Sequence, residues 1–376
     1  MRIYLVGGAL RDLVLKRPAR EFDYAYFGSQ EEFLRMFPSA QPAGKDFPIY
    51  IVRGREFAPG RGPDILGDLE RRDLTINALA LDLTAGPDIG NLFAHPLALE
   101  DIRNKILRPA SATALADDPV RVFRVARFAA RLPEFSASEE LLEAMRDVAA
   151  SGVLGAQTAE RVGAELLKAL ATPAPGRFFE LLATTGALKP WFVELAAAAS
   201  IPAGPVEHHA ADVLSHTLEV MNRLAGDPLR TYMGLCHDLG KIATDPALWP
   251  HHYGHEQRGG PLAEGLGLRL KLSLRYVKAG ALAARLHMQA GRYAELRPGT
   301  RVDLLDALYT TRMVDEMFDL AAADHGVSFH AQAQADLERL LSVKLPHADQ
   351  NLGPDSGRRL RELRAQAVSG WASERP

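Results

Sequence analysis

The sequence predicts an α/β N-terminal region, a small mixed sheet with helices, followed by a mostly α-helical remainder. Three observations predict it: short strand-like apolar runs broken by Gly and Pro in the first part of the chain, a switch to helical periodicity near Asp117, and a break at Pro202, Gly204 and Pro205 that opens a histidine-rich helical stretch. At 376 residues the chain is longer than one core usually supports, so several compact units are expected.

The first element is an apolar strand from Ile3 to Val6, followed by a Gly7-Gly8 turn and a helix over Ala9 to Lys16. A second strand runs from Asp23 to Phe27. Ser29 then stands as N-cap with Glu32 three residues on, the capping-box spacing, and Pro48 to Val52 reads as a third strand. From Asp117 the runs PVRVFRVARFAARL, ASEELLEAMRDVA and AERVGAELLKALA carry helical periodicity. The expected organisation is residues 1–110, 111–200, 205–345 and a tail 346–376 with a loop, one basic helix and a frayed end. Arg358, Arg359, Arg361 and Arg364 in that tail read as a solvated helix face.

Apolar content of 47% with 24% charged residues belongs to a folded soluble protein. No run of about 18 apolar residues reads as a membrane span, and the opening MRIYLVGGALRDL lacks the pattern of a signal peptide, so a cytoplasmic location without membrane contact is expected. The one cysteine, Cys236, excludes an intrachain disulfide and a cysteine-cluster zinc site, and reads as core filler. A net charge of −3 argues against a general nucleic-acid binder, so any RNA site is a local patch. Arginines do cluster at Arg121, Arg124, Arg127 and Arg131.

Glu21 and Asp23 are two apart, which on a strand sends both carboxylates to one face, where they can grip a hard cation such as Mg²⁺. Taken alone, exposed alternating acids on an edge strand are the commoner explanation. The upstream Gly7-Gly8 turn changes the weighing, because a turn without side chains brings backbone N–H groups up to a phosphate.

LVGGALRD, the carboxylate pair, LERRDLTINALA and DDPVRVFRVARFAARL together resemble the class II CCA-adding enzymes, tRNA nucleotidyltransferases of the polymerase β superfamily. The resemblance spans nearly the whole chain and is closest to the bacterial subgroup with a C-terminal HD domain. It implies a nucleotidyltransferase head at 1–110, a helical neck and body at 111–200, and an HD domain at 205–345. Catalytic Glu21 and Asp23 would hold Mg²⁺, and Gly8, Arg11, Arg72, Arg124 and Arg127 would bind nucleotide. The implied partners are CTP, ATP and the tRNA acceptor arm; the oligomeric state, including a homo-oligomer, stays open. Asp118 and Arg121, three apart on a helix, would share a face and offer an acceptor beside a donor, which suits the Watson–Crick edges of C and A but not of G or U. An ordinary salt bridge is the plain alternative.

Two departures from the family pattern bear on activity, besides Asp117 standing where Glu is usual. Glu21 stands where the first metal ligand is normally Asp. The stretch around GREFAPGRGPDILGD, up to Asp73, is much shorter than usual and would lack a flexible loop whose loss in the family accompanies addition of two C residues without the terminal A. Glu56 and Arg61 are then remnants of that loop or a polar turn.

Eight of the twelve histidines lie between His208 and His287. GLCHDLGK places His237 beside Asp238 at the end of an apolar helix, with His216 earlier, and resembles the HD phosphohydrolase superfamily. That resemblance implies metal ligands His216, His237, Asp238 and a later aspartate, for which Asp324 is the candidate, with His255 and His287 near the metal or the leaving phosphate. His237 and Asp238 would be catalytic, hydrolysing 2′,3′-cyclic phosphates, 2′-nucleotides or other phosphomonoesters with Mg²⁺ or a transition metal such as Ni²⁺. His208, His209, His251 and His252 read as caps or surface residues. Competing readings are a poly(A) polymerase and a degenerate RNA-binding head beside a live HD domain.

Overall fold

The structure, a computed structural model, describes residues 1–19, 21–43, 49–84, 86, 88–205 and 211–369. It divides into two compact units, Met1–Gln157 with Leu181–Pro190, and Thr158–Glu180 with the chain from Trp191 onward. The expected head thus packs with the first part of the expected neck, while the expected 205–345 and 346–376 segments share the other unit.

The first unit opens with β1 (Arg2–Val6), α1 (Gly8–Val14), β2 (Asp23–Phe27), α2 (Gln30–Met36), β3 (Gln41–Ala43), β4 (Ile49–Val52) and β5 (Arg55–Pro59). It continues with α3 (Ile65–Glu70), β6 (Leu79–Asp82), β7 (Leu92–Ala94) and α4 (Ala98–Asn104). The strands form one sheet in the order β3-β4-β5-β2-β1-β6-β7, antiparallel throughout except for the parallel β2–β5 pair. Period-two alternation sorts its two faces. Tyr4, Val6 and Ala25 pack with Ile65 and Leu69 of α3, while Tyr24 and Tyr26 stack on Phe57 and Phe33 at centroid distances of 4.6 and 4.3 Å. Each buried aromatic of this kind contributes about 1.5–3 kcal/mol.

The capping box at Ser29 forms, with both reciprocal bonds at 3.1 Å. Helix α1 stops at Val14 rather than Lys16, because Lys16 turns left-handed at φ 56 and Arg17, ahead of Pro18, is disfavoured in helical backbone. The third expected strand is β4; Pro48 itself lies outside the described residues.

After α4 come α5 (Ala114–Asp117), α6 (Arg121–Arg131) and α7 (Glu139–Ala150). The rest is helical: α8 (Ala159–Leu170), α9 (Gly176–Thr184), α10 (Val193–Ala198), α11 (Val213–Arg223), α12 (Pro228–Cys236), α13 (His255–Arg269), α14 (Leu274–Gly291), α15 (Pro298–Thr311), α16 (Val314–His325), α17 (His330–Ser342) and α18 (Pro354–Ser369). Val220, Met233, Ala283, Leu305, Phe318 and Leu340 build the core of the second unit. Cys236 is buried within it, and that burial pushes its thiol up to about 12.

The basic C-terminal helix keeps Arg358, Arg359 and Arg361 exposed, as expected of a solvated face, and half-buries Arg364. Arg361 reaches Asp303 at 2.6 Å and Arg364 reaches Asp306 at 2.9 Å, both on α15, and Val368 is buried beneath α18. Arg358 pairs with Asp355 of its own helix, and Arg359 with Glu362 and, ahead of the helix, with Asp349. No helix among the described residues is long and apolar enough to cross a membrane.

Candidate functional site

Strand β1 ends at Val6, and Gly7 leaves it with φ +77. A Cβ at Gly7 would also lie 3.2 Å from Arg72 Nη1, so both backbone conformation and close approach call for glycine. A Cβ at Gly8 would lie 3.4 Å from Arg11 Nη2. Arg11 does not stand open to solvent. It is 1% exposed, donates from Nε and Nη2 to Asp12 at 2.9 and 2.7 Å and from Nη1 to Asn77 at 2.6 Å, and covers the Phe128 ring. The enclosed guanidinium therefore braces the glycine turn.

The same brace continues through the RRDLTINALA segment. Asn77 donates to Asp73 Oδ1 at 3.0 Å, the Leu74 N–H donates to the same oxygen at 2.8 Å, and Asp73 Oδ2 lies 2.7 Å from Arg124 Nε. Burial favours the neutral acid at Asp73, but Arg124, Asn77 and the Leu74 N–H outweigh it and hold the carboxyl below its usual range. Arg72 is fixed by Nε and Nη2 bonds to Asp68 Oδ2 at 3.0 and 2.7 Å. Arg127 is 9% exposed and stacks on Phe128 at 4.5 Å. Arg61 joins this group: its N–H donates to Asp68 Oδ1 at 3.0 Å, and its guanidinium pKa is lowered first by burial and then by Arg72, with Arg121 and Arg124 adding. Arg72, Arg121 and Arg124 thus all act on Arg61, a grouping of positive charge that suits a polyanion.

Asp23 is the exposed first residue of β2, with Val6 as its register partner in β1 and Glu56 in β5. Glu21 is exposed and lies ahead of the strand, so the expectation that both carboxylates sit on one strand is corrected. The ladder starts at Asp23 because β1 turns away at Gly7, leaving residues before Asp23 without that partner. Glu56 was read as a loop remnant or turn, yet it is the strand neighbour of Asp23, and register neighbours project to the same face. The signal was present in the two-residue Arg53-Gly54 connection, whose positive φ values of 51 and 76 are those of a tight hairpin turn.

Asp118 and Arg121 do not share a helix as expected. Pro119 holds Asp118 in extended backbone at φ −146, and α6 begins only at Arg121. The buried Arg121 guanidinium donates to the carbonyls of Ala114 and Arg71 at 2.7 and 2.8 Å.

In the second unit, His216 on α11, His237 and Asp238 after α12, His255 at the start of α13, His287 on α14 and Asp324 on α16 converge. His216 Nε2 lies 2.9 Å from Asp324 Oδ1 and 3.4 Å from His237 Nε2. His216, His237 and Asp238 offer ligand atoms all within 4.8 Å of one another, and so do Asp238, His255 and His287. Imidazole nitrogens with carboxylates suit a divalent transition metal. Burial would lower His237, but Asp238, Asp324 and the Gly234 carbonyl prevail and raise it to about 9. Burial and the neighbouring His237 push His287 down to about 3. Gly240 makes the convergence possible, since a Cβ there would sit 1.9 Å from the His255 carbonyl oxygen.

Sequence reading missed Lys241, whose Nζ lies 2.7 Å from Asp238 Oδ2 and donates to the Ala203 carbonyl at 2.7 Å; the i,i+3 spacing in HDLGK was its signal. Arg292 and His325, also missed, line the adjoining cavity of about 660 Å³. His252 is neither a cap nor on the surface: it is buried and bonded to Thr244 and the Pro202 carbonyl. His251 stacks on exposed Tyr253. His208 and His209 lie outside the described residues.

Residues 134–199 match the family model described as the probable RNA and SrmB-binding site of polymerase A. The solved CCA-adding enzyme of Bacillus stearothermophilus in complex with CTP superposes with a TM-score of 0.65 at 22% identity, over 98% of this chain and 89% of that one. The Thermotoga maritima CCA-adding enzyme complexed with tRNA gives 0.63 at 19% identity, over 98% and 87%. The multifunctional CCA protein of Pseudomonas aeruginosa is 34% identical over 100% of this chain and 99% of its own length. That of Methylococcus capsulatus is 40% identical over 98% and 94%. With identity of this degree along its whole length, the chain belongs to the multifunctional CCA protein family, the class II CCA-adding enzymes.

Proposed function

We propose that the first unit adds C and A from CTP and ATP to the 3′ end of tRNA without a nucleic-acid template, releasing pyrophosphate, and that the second unit hydrolyses phosphate esters. The observation that carries the first half is Asp23 at its strand start beside Glu56, next to a glycine turn closed against Arg72. Asp23 and Glu21, with Glu56 at hand, would hold Mg²⁺. When bound, that ion lowers the charge on the α-phosphate and eases ionisation of the attacking 3′-hydroxyl. Gly8 lets the triphosphate approach the backbone, Arg72, Arg124 and Arg127 supply positive charge, and Arg11 keeps the turn in shape. Asp118 accepts from the exocyclic amine of C or A. Arg121 has five N–H groups and commits two to backbone carbonyls, so donors remain for the ring nitrogen. The tRNA substrate and the buried lone cysteine support a cytoplasmic site of action.

A second reading, addition of CC alone, is favoured by the short connection between β5 and α3. Only residues 60–64 separate them, Asp64 caps α3, and a Cβ at Gly62 would lie 2.7 Å from the Gly67 carbonyl carbon. Labelled CTP and ATP offered to tRNA transcripts ending before CCA, at C and at CC separate the two. ATP addition to the CC-ending transcript is expected; CTP addition that halts at CC would establish the second reading.

For the second unit, His216, His237, Asp238 and Asp324 would hold a divalent metal, Mg²⁺ or a transition metal such as Ni²⁺. When bound, it supplies an ionised water for attack on 2′,3′-cyclic phosphates, 2′-nucleotides or other phosphomonoesters. Lys241 and Arg292 would orient the phosphate. Release of phosphate from 2′-AMP and opening of 2′,3′-cyclic AMP by the full chain test this, with no turnover as the overturning result.

A further inference from the structure

We propose that His251 and Tyr253 form a stacking platform for a nucleobase at the cavity of the second unit, so that the ester taken there is a nucleoside 2′-phosphate or its cyclic form rather than any small phosphomonoester. This rests on reading the second unit as a phosphohydrolase and assigns the part of the substrate that carries no phosphate.

Tyr253 is 72% exposed, so its ring contributes little to the core. It is nevertheless held in order. Its plane makes an angle of 16° with the exposed His251 ring at a centroid distance of 5.6 Å, an offset stack. The residue between them is the anchor. His252 is buried, and its Nε2 donates to the Pro202 carbonyl at 2.7 Å, which leaves Nδ1 to accept from the Thr244 hydroxyl at 3.1 Å. Arg258 donates to the same hydroxyl oxygen at 3.1 Å. On either side, the His251 N–H donates to the Leu248 carbonyl at 2.8 Å, and Gly254 turns at φ +70 into α13. With the centre of the tripeptide buried, both flanking rings are turned outward together.

Both rings line the cavity of about 660 Å³ that Asp238, Lys241 and Arg292 also line. A phosphate alone fills a small part of that space, whereas sites of about 300–1,000 Å³ enclose drug-sized ligands, a nucleotide among them. The lining thus combines cations for a phosphate with a flat aromatic pair for a base. Every nucleobase has a π-face, so such a platform selects nucleotides as a class, with purines favoured over pyrimidines by their larger overlap.

The experiment compares 2′-AMP with glycerol 2-phosphate as substrates of the full chain; both are monoesters of a secondary alcohol, and only one has a base. Tyr253→Ala should lower the preference for 2′-AMP, taken as its kcat/KM over that of glycerol 2-phosphate, by about 10-fold and through KM. Tyr253→Phe should keep most of the preference, because the ring stacks and the hydroxyl does not. An unchanged preference in Tyr253→Ala, or an equal loss in the two variants, overturns the platform while continued hydrolysis leaves the phosphohydrolase standing. A wild-type chain that hydrolyses neither ester overturns both. Binding is read separately in Tyr253→Trp, whose added indole 2′-AMP should quench by stacking on it. No quenching beyond that of the wild-type chain overturns the proposal.

Discussion

Asp23 is exposed at the first residue of a strand, with its acidic neighbours supplied by an adjoining strand and by the segment before it. Asp238 is 2% exposed and meets donors from helices α11, α13 and α14 and from the segment after α12, with His216, His237, His255 and His287 each locked by a backbone carbonyl or a carboxylate. The first site is open and its order lies in the cationic frame around it; the second is ordered at the ligands themselves. On the proposed functions, a site that must admit a long RNA end and successive nucleotides cannot be enclosed before they arrive, whereas a hydrolytic site for small esters would gain from preorganised ligands.

The largest test of this contrast is reciprocal. Asp23→Ala should lower nucleotide incorporation by about 10³-fold, the several kcal/mol associated with a bound cation, while cyclic-nucleotide hydrolysis continues. His237→Ala should do the reverse by a similar factor, and loss of both activities in either variant would break the division into two sites. Gly7→Ala forces a side chain into a positive-φ position against Arg72 and should reduce incorporation by about 10²-fold through misplaced turn and guanidinium, read in single-turnover kinetics. Arg121→Ala leaves the Ala114 and Arg71 carbonyls without their donor and should destabilise the first unit by about 1–3 kcal/mol, measured by urea unfolding, in addition to relaxing base choice. A variant with relaxed choice and unchanged stability would show that those two bonds matter little.

The smallest expected effect concerns acid. Asp73 has a folded pKa below its unfolded value of about 3.9, so its contribution is present above that value and lost as pH falls through the folded one. Asp73→Asn should therefore flatten the acid limb of the stability curve of the first unit below about pH 4. An unaltered limb would place the acid sensitivity elsewhere.

Local signals were legible in the sequence. Ser29 and Glu32 form the capping box their spacing indicates, and β2 spans Asp23–Phe27 as its alternation predicts. The His237-Asp238 pair and distant Asp324 meet in one cluster, although the 86-residue separation of Asp238 from Asp324 leaves no local trace of it. What stayed hidden depends on tertiary pairing. Glu56 becomes the neighbour of Asp23 only through a parallel, non-local strand pair, and Arg121 finds backbone carbonyls at positions 71 and 114 that no helical spacing indicates. Pro119 was a readable sign that Asp118 and Arg121 could not lie on one continuous helix.

Asp12 is gripped from two directions, by Arg11 beside it and by Arg131 at 3.0 Å from 119 residues further along, and Phe128 of the same helix α6 underlies Arg11. Chain order thereby becomes a constraint on synthesis. As the chain leaves the ribosome its glycine turn emerges among the first residues but lacks its clasp until α6 has also emerged, so the ring of contacts closes late and over a long span. A nascent chain ending near residue 110 would hold every strand of the seven-stranded sheet and still lack the helix that steadies its glycine turn.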